Sequence, residues 1–361
     1  MPRRARDGEK APRRTSLKEI AGLTGFSTTT VSMVLNGRAE EFGISSDTRD
    51  RIRAVAREHN YQPNLHARSL RSRTTDILGL VVPTLANPFF SEMAETFESL
   101  ARSDKKLALI TVTHHDPREE IDAIHYFASQ KVECVFTANL MALEEVSDLC
   151  SRVGTRQILL DSQESSKHTV STDNLDAGRD LGRRLLSSMA SAGRSGRVYY
   201  VGGMAAHRIT QHRLAGFQAA LREQGLDFSE DQFVETPFDA EAAYRRIRAL
   251  FDSRSDIGGI FLNAVPPLEG LVRYFPEAPE RCRQIHYGVF DYHPIMSLLV
   301  DLRLLIVKQN PDRMMQRAYE IFSSGQDIQT GKTHYVPYDV ILTPAMKACL
   351  GDGGWRPEAG G

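Results

Sequence analysis

The sequence predicts an all-α helix-turn-helix head followed by an α/β body with two lobes. Near the N-terminus, two short segments that each have one apolar face are separated by Gly25, which is the pattern of two helices joined by a tight turn. From residue 77 onward, continuous apolar runs alternate with segments of helical periodicity, and the series occurs twice. Alternating strands and helices predict parallel sheets buried on both faces, and two such series predict two lobes.

Changes in composition and periodicity divide the chain into five parts. Within the body, the first lobe is expected at about 76–173 plus 307–331, and the second at about 174–306 plus 332–343. From the N-terminus to the C-terminus, the five parts are a disordered basic tail at 1–14, the helix-turn-helix head at 15–62, a hinge helix or linker at 63–75, the two-lobed body at 76–343 and a flexible tail at 344–361.

The composition is that of an ordinary globular protein. The 361 residues are 41% hydrophobic and 25% charged, which is enough apolar material for two or three cores. No apolar run approaches the roughly 18 residues of a membrane span, and no secretory signal is recognised, so we expect a cytoplasmic protein with no membrane partner. The four cysteines are scattered without a CxxC pair, so we expect neither a zinc site nor a disulfide framework, and no metal. No GxGxxG or GxxxxGK(S/T) loop opens a predicted helix, and we expect no cofactor.

The charge is distributed unevenly along the chain. Residues 1–76 contain 15 Lys and Arg against 9 Asp and Glu, a net charge of +6, whereas the remainder carries 30 against 37, a net charge of −7. A basic head on an acidic body favours binding of a polyanion through the head.

The head begins with the segment "SLKEIAGLTGF", which predicts a helix capped by Thr15 or Ser16 and ended by Gly25. In the next segment Ser27 caps a second helix, whose buried stripe is Val31, Val34 and Leu35. A third helix is expected to follow, with Ser46 as its cap. The second helix leaves small polar side chains exposed, as a helix that enters the major groove of DNA requires. These exposed residues are Thr28, Thr29, Thr30, Met33 and Asn36.

The segment that follows the head is short and basic. It begins at Pro63 and Asn64, carries Arg68, Arg71 and Arg73, and has Leu70 as its one large apolar residue. It is too short to be a stable helix alone, but it could fold against DNA, where two copies of Leu70 could wedge into the minor groove. The alternative is a plain interdomain linker.

These motifs together resemble the N-terminal pattern of the LacI/GalR family of bacterial transcriptional repressors. The matching stretches are "SLKEIAGLTGFSTTTVSMVLNG", "SSDTRDRI", "NYQPN" and "ARSLRS", while "RAEEFGI" and "REHNYQPN" are similar to the fructose-repressor subgroup. The resemblance implies that Thr28, Thr29 and Met33 read bases. It also implies that Ser27, Thr30 and Asn36 contact phosphates, and that Leu70 is the hinge leucine. Many members have Arg where this chain has Met33, so a guanine contact is lost, and contact with a thymine methyl is one substitute.

In the body, ligands are expected in the cleft between the lobes, at the carboxyl ends of the strands. The resemblance implies the same site, in a periplasmic-binding-protein-like effector domain. Aligned on "RLAGF", it places Arg213 and His207 on the effector, and Arg208 and Lys308 are further candidates. For each residue the alternative is a helix cap, an ion pair or a surface charge. Strand ends supply the remaining candidates, which are Phe89, Asp161, Asp173, Asn263 and Asp291.

Several cations facing one ligand would favour a phosphorylated sugar over a neutral one. The loop that contains His114 and His115 is expected to be solvated and not to bind metal.

The resemblance implies a homodimeric repressor of carbohydrate-utilisation genes, which binds a palindromic operator and responds to a small sugar or sugar-phosphate effector. No GxSxG or HExxH motif is present, so an enzyme is not expected. The alternative is a sugar-binding or sugar-modifying protein with the same two lobes and no operator function.

Overall fold

The computed structural model describes residues 15–61, 75–162, 167–325 and 331–350. The chain divides into two compact units, Met1–Thr75 and Asp76–Gly361. The predicted tail at 1–14 lies outside the described residues, and so does nearly all of the predicted hinge at 63–75.

The head is a three-helix unit, and its helix-turn-helix is confirmed. The side chain of Ser16 accepts the N–H of Glu19, and the carboxylate of Glu19 accepts the N–H of Ser16 at 2.7 Å, which is a capping box. Gly25 makes the turn with a φ of +77°, in the left-handed region that glycine favours. Ser45, and not the expected Ser46, caps the third helix. The helices are α1 (Leu17–Thr24), α2 (Thr28–Leu35) and α3 (Ser46–Glu58).

A small apolar core holds the three helices of the head together. One side of α2 buries Val31 and Val34 against Ile20 of α1 and Ile52 of α3. The opposite side of α2 is thereby left to solvent, as the periodicity predicts.

The first lobe of the body is a six-stranded, fully parallel sheet with helices on both faces. In order across the sheet, its strands are β11 (Thr333–Tyr335), β5 (Thr169–Ser171), β4 (Arg156–Leu160), β3 (Cys134–Ala138), β1 (Ile77–Val82) and β2 (Leu107–Val112). Its helices are α4 (Pro88–Ser103), α5 (Pro117–Ser129), α6 (Leu143–Val153) and α12 (Pro311–Ser323).

The second lobe repeats this plan, except that one edge strand runs antiparallel to its neighbour, from Asp339 opposite Lys308 to Leu342 opposite Leu305. In order across the sheet, its strands are β12 (Asp339–Leu342), β10 (Arg303–Lys308), β9 (His286–Phe290), β8 (Ile257–Leu262), β6 (Arg197–Val201) and β7 (Phe233–Val234). Its helices are α7 (Asn174–Ser191), α8 (Arg208–Glu223), α9 (Ala240–Ser253), α10 (Val265–Tyr274), α11 (Pro279–Gln284) and α13 (Pro344–Leu350).

The boundaries of the lobes differ from the sequence-based expectation. All of β10 belongs to the second sheet, so the crossing lies after Lys308 and not at 307. The expected second-lobe segment 332–343 is divided, because β11 pairs with β5 of the first sheet from Thr333 opposite Thr169 to Tyr335 opposite Ser171. A three-residue strand carries too little periodicity to be assigned to either sheet from sequence.

The expected flexible tail at 344–361 is wrong for its first seven residues. These residues form α13, and Met346 is fully buried in the core beside α7. Burial of an apolar side chain of this size contributes about 1.5–3 kcal/mol to holding this helix against the lobe. Residues 351–361 lie outside the described residues.

Two glycines allow α7 and α8 to pack closely. A Cβ on Gly216 of α8 would overlap the carbonyl oxygen of Leu175, and a Cβ on Gly178 of α7 would lie 2.5 Å from the carbonyl oxygen of Arg213. Neither position tolerates a side chain without separating the helices. This close packing fixes the backbone of Arg213 relative to the second sheet.

Candidate functional site

The exposed face of α2 is the candidate DNA-binding surface of the head. The side chain of Ser27 accepts the N–H of Thr30 at 3.0 Å and shares a 2.9 Å hydrogen bond with its hydroxyl, so both hydroxyls already take part in the cap. Asn36 donates to the carbonyl of Ser32 at 2.8 Å. In the part of the chain that the structure describes, the exposed hydroxyls of Thr28 and Thr29 make no side-chain hydrogen bond, and they are free to bind a ligand.

Met33 is half-buried on the same helix, so it is accessible without being fully solvated. The remaining candidates of the DNA-binding set, Asn64, Arg68 and Leu70, lie outside the described residues.

A second candidate site is a pocket between the two lobes, and it lies at the carboxyl ends of the strands of both sheets. Four of the residues expected on the effector line it, namely Asp161, Arg213, Asn263 and Asp291. The first lobe contributes Thr84, Asn87, Phe90, His115, Asn139 and Asp161, and the second contributes Ile209, Thr210, Arg213, Phe238, Asn263, Ala264, Pro266 and Asp291.

Arg213 is a buried cation whose position is fixed by three contacts. Its Nε donates to Oδ1 of Asn174 and its NH1 donates to the carbonyl of Asn263, both at 2.7 Å. The guanidinium carbon lies 3.9 Å from the centroid of the Phe290 ring. Charged hydrogen bonds and stacking on an aromatic face both favour one orientation of the guanidinium, so Arg213 is preorganised in the pocket.

Two buried carboxylates, Asp161 and Asp291, face the pocket from opposite lobes. Each follows a parallel strand and has a left-handed backbone, with φ of +43° for Asp161 and +68° for Asp291. Burial raises the pKa of Asp161 to about 6, against the opposing charge of Arg213 and with a smaller contribution from Asp291. Burial also raises the pKa of Asp291, and Arg213 opposes this rise. Among the lining residues, two carboxylates therefore share a single guanidinium.

The pocket contains acceptors that the described part of the protein does not satisfy. Asn139 directs its Nδ2 at Oδ2 of Asp161 (3.3 Å), which leaves the Asn139 Oδ1 and the Asp161 Oδ1 without partners. Behind Asp291, Gln309 donates its Nε2 to Oδ1 of Asp291 at 2.6 Å, and its own Oε1 has no partner. An unsatisfied buried polar atom costs about 1–3 kcal/mol, so the site is suited to a ligand that donates hydrogen bonds.

Two expected effector residues serve the fold instead of the pocket. Phe89 is buried in the core of the first lobe, and the next residue, Phe90, lines the pocket. The carboxylate of Asp173 caps α7 by accepting the N–H of Asp176 at 3.0 Å, and it is the neighbouring Asn174 that reaches Arg213.

The three other expected cations do not line the pocket either. Arg208 forms an ion pair with Glu144 of the first lobe at 2.6 Å. The Nζ of Lys308 lies over the ring of Tyr292, 5.0 Å from its centroid. His207 is buried, and burial lowers its pKa to about 4, so it is neutral at pH 7. Of the four cations expected at the ligand, Arg213 is the one among the described residues that lines this pocket.

Sequence reasoning missed His115, which was assigned with His114 to a solvated loop. His114 is indeed exposed, but His115 lines the pocket and stacks on Phe238. No sequence pattern marks this contact, because it joins loops from two different lobes.

A helix-turn-helix head joined to a two-lobed α/β unit with a polar cleft defines a ligand-responsive, DNA-binding transcriptional regulator. The chain belongs to the LacI family: residues 16–64 match the family described as "Bacterial regulatory proteins, lacI family", and residues 78–324 match "Periplasmic binding protein domain". The family and its neighbours are transcriptional regulators and not enzymes. In the described part of the chain, no helix is long and apolar enough to cross a membrane.

Relatives and solved structures agree with this assignment. The chain is 28% identical over 316 residues to the sucrose operon repressor of Klebsiella pneumoniae, covering 86% of this chain and 92% of the relative. It is 25% identical to the fructose operon regulatory protein of Vibrio cholerae, covering 79% and 86%. The crystal structure of the Lac repressor bound to ONPG superposes with a TM-score of 0.75 at 19% identity, covering 91% and 98%, which shows a shared fold.

Proposed function

We propose that this protein represses carbohydrate-utilisation genes in the cytoplasm, and that its effector is a neutral sugar or sugar alcohol bound between the lobes. The observation that carries the choice of effector is the set of unsatisfied acceptors beside two buried carboxylates. A polyhydroxyl compound supplies many hydrogen-bond donors and no charge. Such a ligand satisfies the acceptors without adding a further anion to the site.

A phosphate group would suit this pocket poorly. At neutral pH it is an acceptor that carries negative charge, and it would meet the carboxylates of Asp161 and Asp291 with only Arg213 to offset them. Two of the donor groups of Arg213 are already engaged by Asn174 and Asn263. We therefore reverse the sequence-based preference for a sugar phosphate. The sucrose operon repressor among the relatives supports a carbohydrate effector.

On the operator, Thr28 and Thr29 are proposed to read base edges from the N-terminal end of α2, with Met33 available for a thymine methyl. Ser27, Thr30 and Asn36 are proposed to position the helix on phosphates, because their polar groups lie at its two ends. Asn64, Arg68 and Leu70 remain expectations for the segment that joins the two units.

A homodimer is proposed because one head reads only a half-site of a palindrome. The body carries apolar surface that a second copy would cover. On the edge strand β2, Leu107 and Ile110 are exposed, and on the second lobe Leu298 has 77% of its surface exposed beside the exposed Val300. Exposed apolar side chains of this kind are suited to an interface with a second copy.

A thermal-shift panel tests the effector class. At about 100 times its dissociation constant, a neutral sugar or sugar alcohol is expected to raise the melting temperature of the body by roughly 5 °C, since binding to the folded state alone adds about 2.7 kcal/mol. The corresponding sugar phosphates are the matched controls and are expected to have little effect. Stabilisation by the phosphates alone would contradict the proposal. A protein that binds sugar but no duplex DNA would support the alternative of a sugar-binding protein without an operator.

Sugar affinity is expected to decrease in mild acid because of Asp161. Its pKa of about 6 in the unliganded protein lies above the ordinary value of 3.8, so the folded protein favours the protonated carboxyl. This protonation stabilises the folded state fully below about pH 4, and the stabilisation is lost as the pH rises through 6. Hydroxyl donors favour the ionised carboxylate, so binding must expel this proton, and the affinity at pH 5 should be about tenfold lower than at pH 7. Calorimetric titrations from pH 5 to 8 measure this. In the Asp161→Asn variant, the dependence of sugar affinity on pH should disappear. A sugar affinity that does not change with pH in the wild type would contradict the placing of Asp161 at the sugar.

A further inference from the structure

One contact across the cleft is made by aromatic rings. The imidazole of His115, from the loop after β2 of the first lobe, stacks on the ring of Phe238 in the second lobe, with centroids 4.5 Å apart and planes 20° apart. Phe238 also meets His207 edge-on, with centroids 5.3 Å apart. Both His115 and Phe238 line the pocket, so this pair closes one side of it.

The backbone of the loop fixes the position of His115. His114 and His115 are consecutive non-glycine residues in the left-handed region, with φ of +50° and +58°. The loop is fixed by backbone hydrogen bonds from Thr113 to Val82 (3.1 Å), from His114 to Pro83 (2.9 Å) and from Asp116 to Thr113 (2.7 Å). Non-glycine residues in this region are strained, and such strain persists where the surroundings determine the conformation and is concentrated at functional sites.

The two histidines have different surroundings. His114 is exposed and pairs with Glu119 at 3.0 Å. His115 is shielded, its Nδ1 has no partner in the described chain, and burial lowers its pKa to about 4, with His114 adding to the effect. The ring is therefore neutral at pH 7. A neutral imidazole stacks without desolvating a charge, and it still has a nitrogen available to a hydroxyl.

We propose that His115 couples recognition of the effector to closure of the lobes: its ring stacks on Phe238 when the cleft is shut, and its Nδ1 then binds a hydroxyl of the sugar. The inference rests on the proposed function. An effector that reaches Arg213 and the carboxylates but has no hydroxyl near His115 lacks the hydrogen bond to Nδ1 and binds more weakly, whereas the stack on Phe238 favours closure with either effector. His115 thus determines specificity through its Nδ1 and stabilises the shut cleft through its ring.

Two substitutions separate the stack from the hydrogen bond. His115→Phe keeps an aromatic ring on Phe238 and removes the nitrogen, so closure should persist while sugar affinity falls about three- to tenfold, the usual value of one hydrogen bond. His115→Asn keeps a polar group and removes the ring, so affinity should fall and the lobes should remain more open. His114→Ala is the matched control on the same loop and should bind sugar as the wild type does.

Calorimetry gives the affinities, and small-angle scattering with and without sugar gives the closure. Thermal unfolding without sugar checks that each variant is folded. We expect sugar to compact the wild type, His115→Phe and His114→Ala, and to compact His115→Asn less. Wild-type affinity in His115→Phe, or wild-type closure in His115→Asn, would overturn the inference and leave the proposed function intact. If the wild type binds no neutral sugar, the proposed function itself fails.

Discussion

Arg213→Met is expected to abolish the response to sugar and to destabilise the body by about 3–5 kcal/mol. Arg213 is 3% exposed and is the cation that faces Asp161 and Asp291 among the residues lining the pocket. Methionine has a similar length but supplies neither the charge nor the donors that hold Asn174 and the carbonyl of Asn263. Two buried carboxylates would then lack a counter-charge. Denaturant unfolding measures the loss of stability, and calorimetry measures the loss of sugar binding.

A second substitution distinguishes the electrostatic cause from poor packing. In the double variant Arg213→Met with Asp161→Asn, one buried negative charge is removed, so part of the lost stability should return while sugar binding stays absent. Equal stability of the single and double variants would indicate that the loss comes from packing against Phe290, not from uncompensated charge. Unchanged sugar affinity in Arg213→Met would contradict the assignment of the site.

Val31→Asn is expected to unfold the head and to lower operator affinity at least about 100-fold, while sugar affinity stays at the wild-type value. Val31 is fully buried, in a small core to which the described part of the head contributes six buried residues. Burying an amide there costs about 3 kcal/mol or more, which is comparable to the whole stability of so small a domain. The body should be unaffected because it forms a separate compact unit. Fluorescence anisotropy with labelled duplex measures the DNA affinity.

Leu23→Asn is the matched control for the head. Leu23 belongs to α1 and is 54% exposed, so the same change in chemistry removes little buried area. Its operator affinity should stay within about threefold of the wild type. If both variants bound operator normally, the head would not be the DNA-binding unit.

The elements whose local sequence determines their structure were predicted well. The capping serines Ser16 and Ser27 and the turn at Gly25 depend on residues within one helical turn, and they are where the sequence places them. Asp161, Asn263 and Asp291 were predicted because each follows a continuous apolar strand, and the carboxyl ends of parallel strands meet at one edge of the sheet.

The features that depend on contacts between distant segments were not predicted. Whether Arg208 faces the ligand depends on Glu144, which lies 64 positions away in the other lobe and pairs with it. His115 enters the pocket through a strained loop and a ring from the second lobe. The sequence-based preference for a sugar phosphate counted cations along the chain without their partners, and for this reason we propose a neutral sugar instead.

We propose that a sugar bound in the cleft controls the affinity of the head for a palindromic operator. Anisotropy of a labelled palindromic duplex, selected by the protein from a random library, tests it directly when the sugar from the thermal-shift panel is titrated in at moderate salt. We expect tighter binding to the palindrome than to a random duplex. Adding sugar should change the operator affinity about 5- to 150-fold, in the direction of release. Equal binding to both duplexes, or an operator affinity that the sugar leaves unchanged, would contradict it.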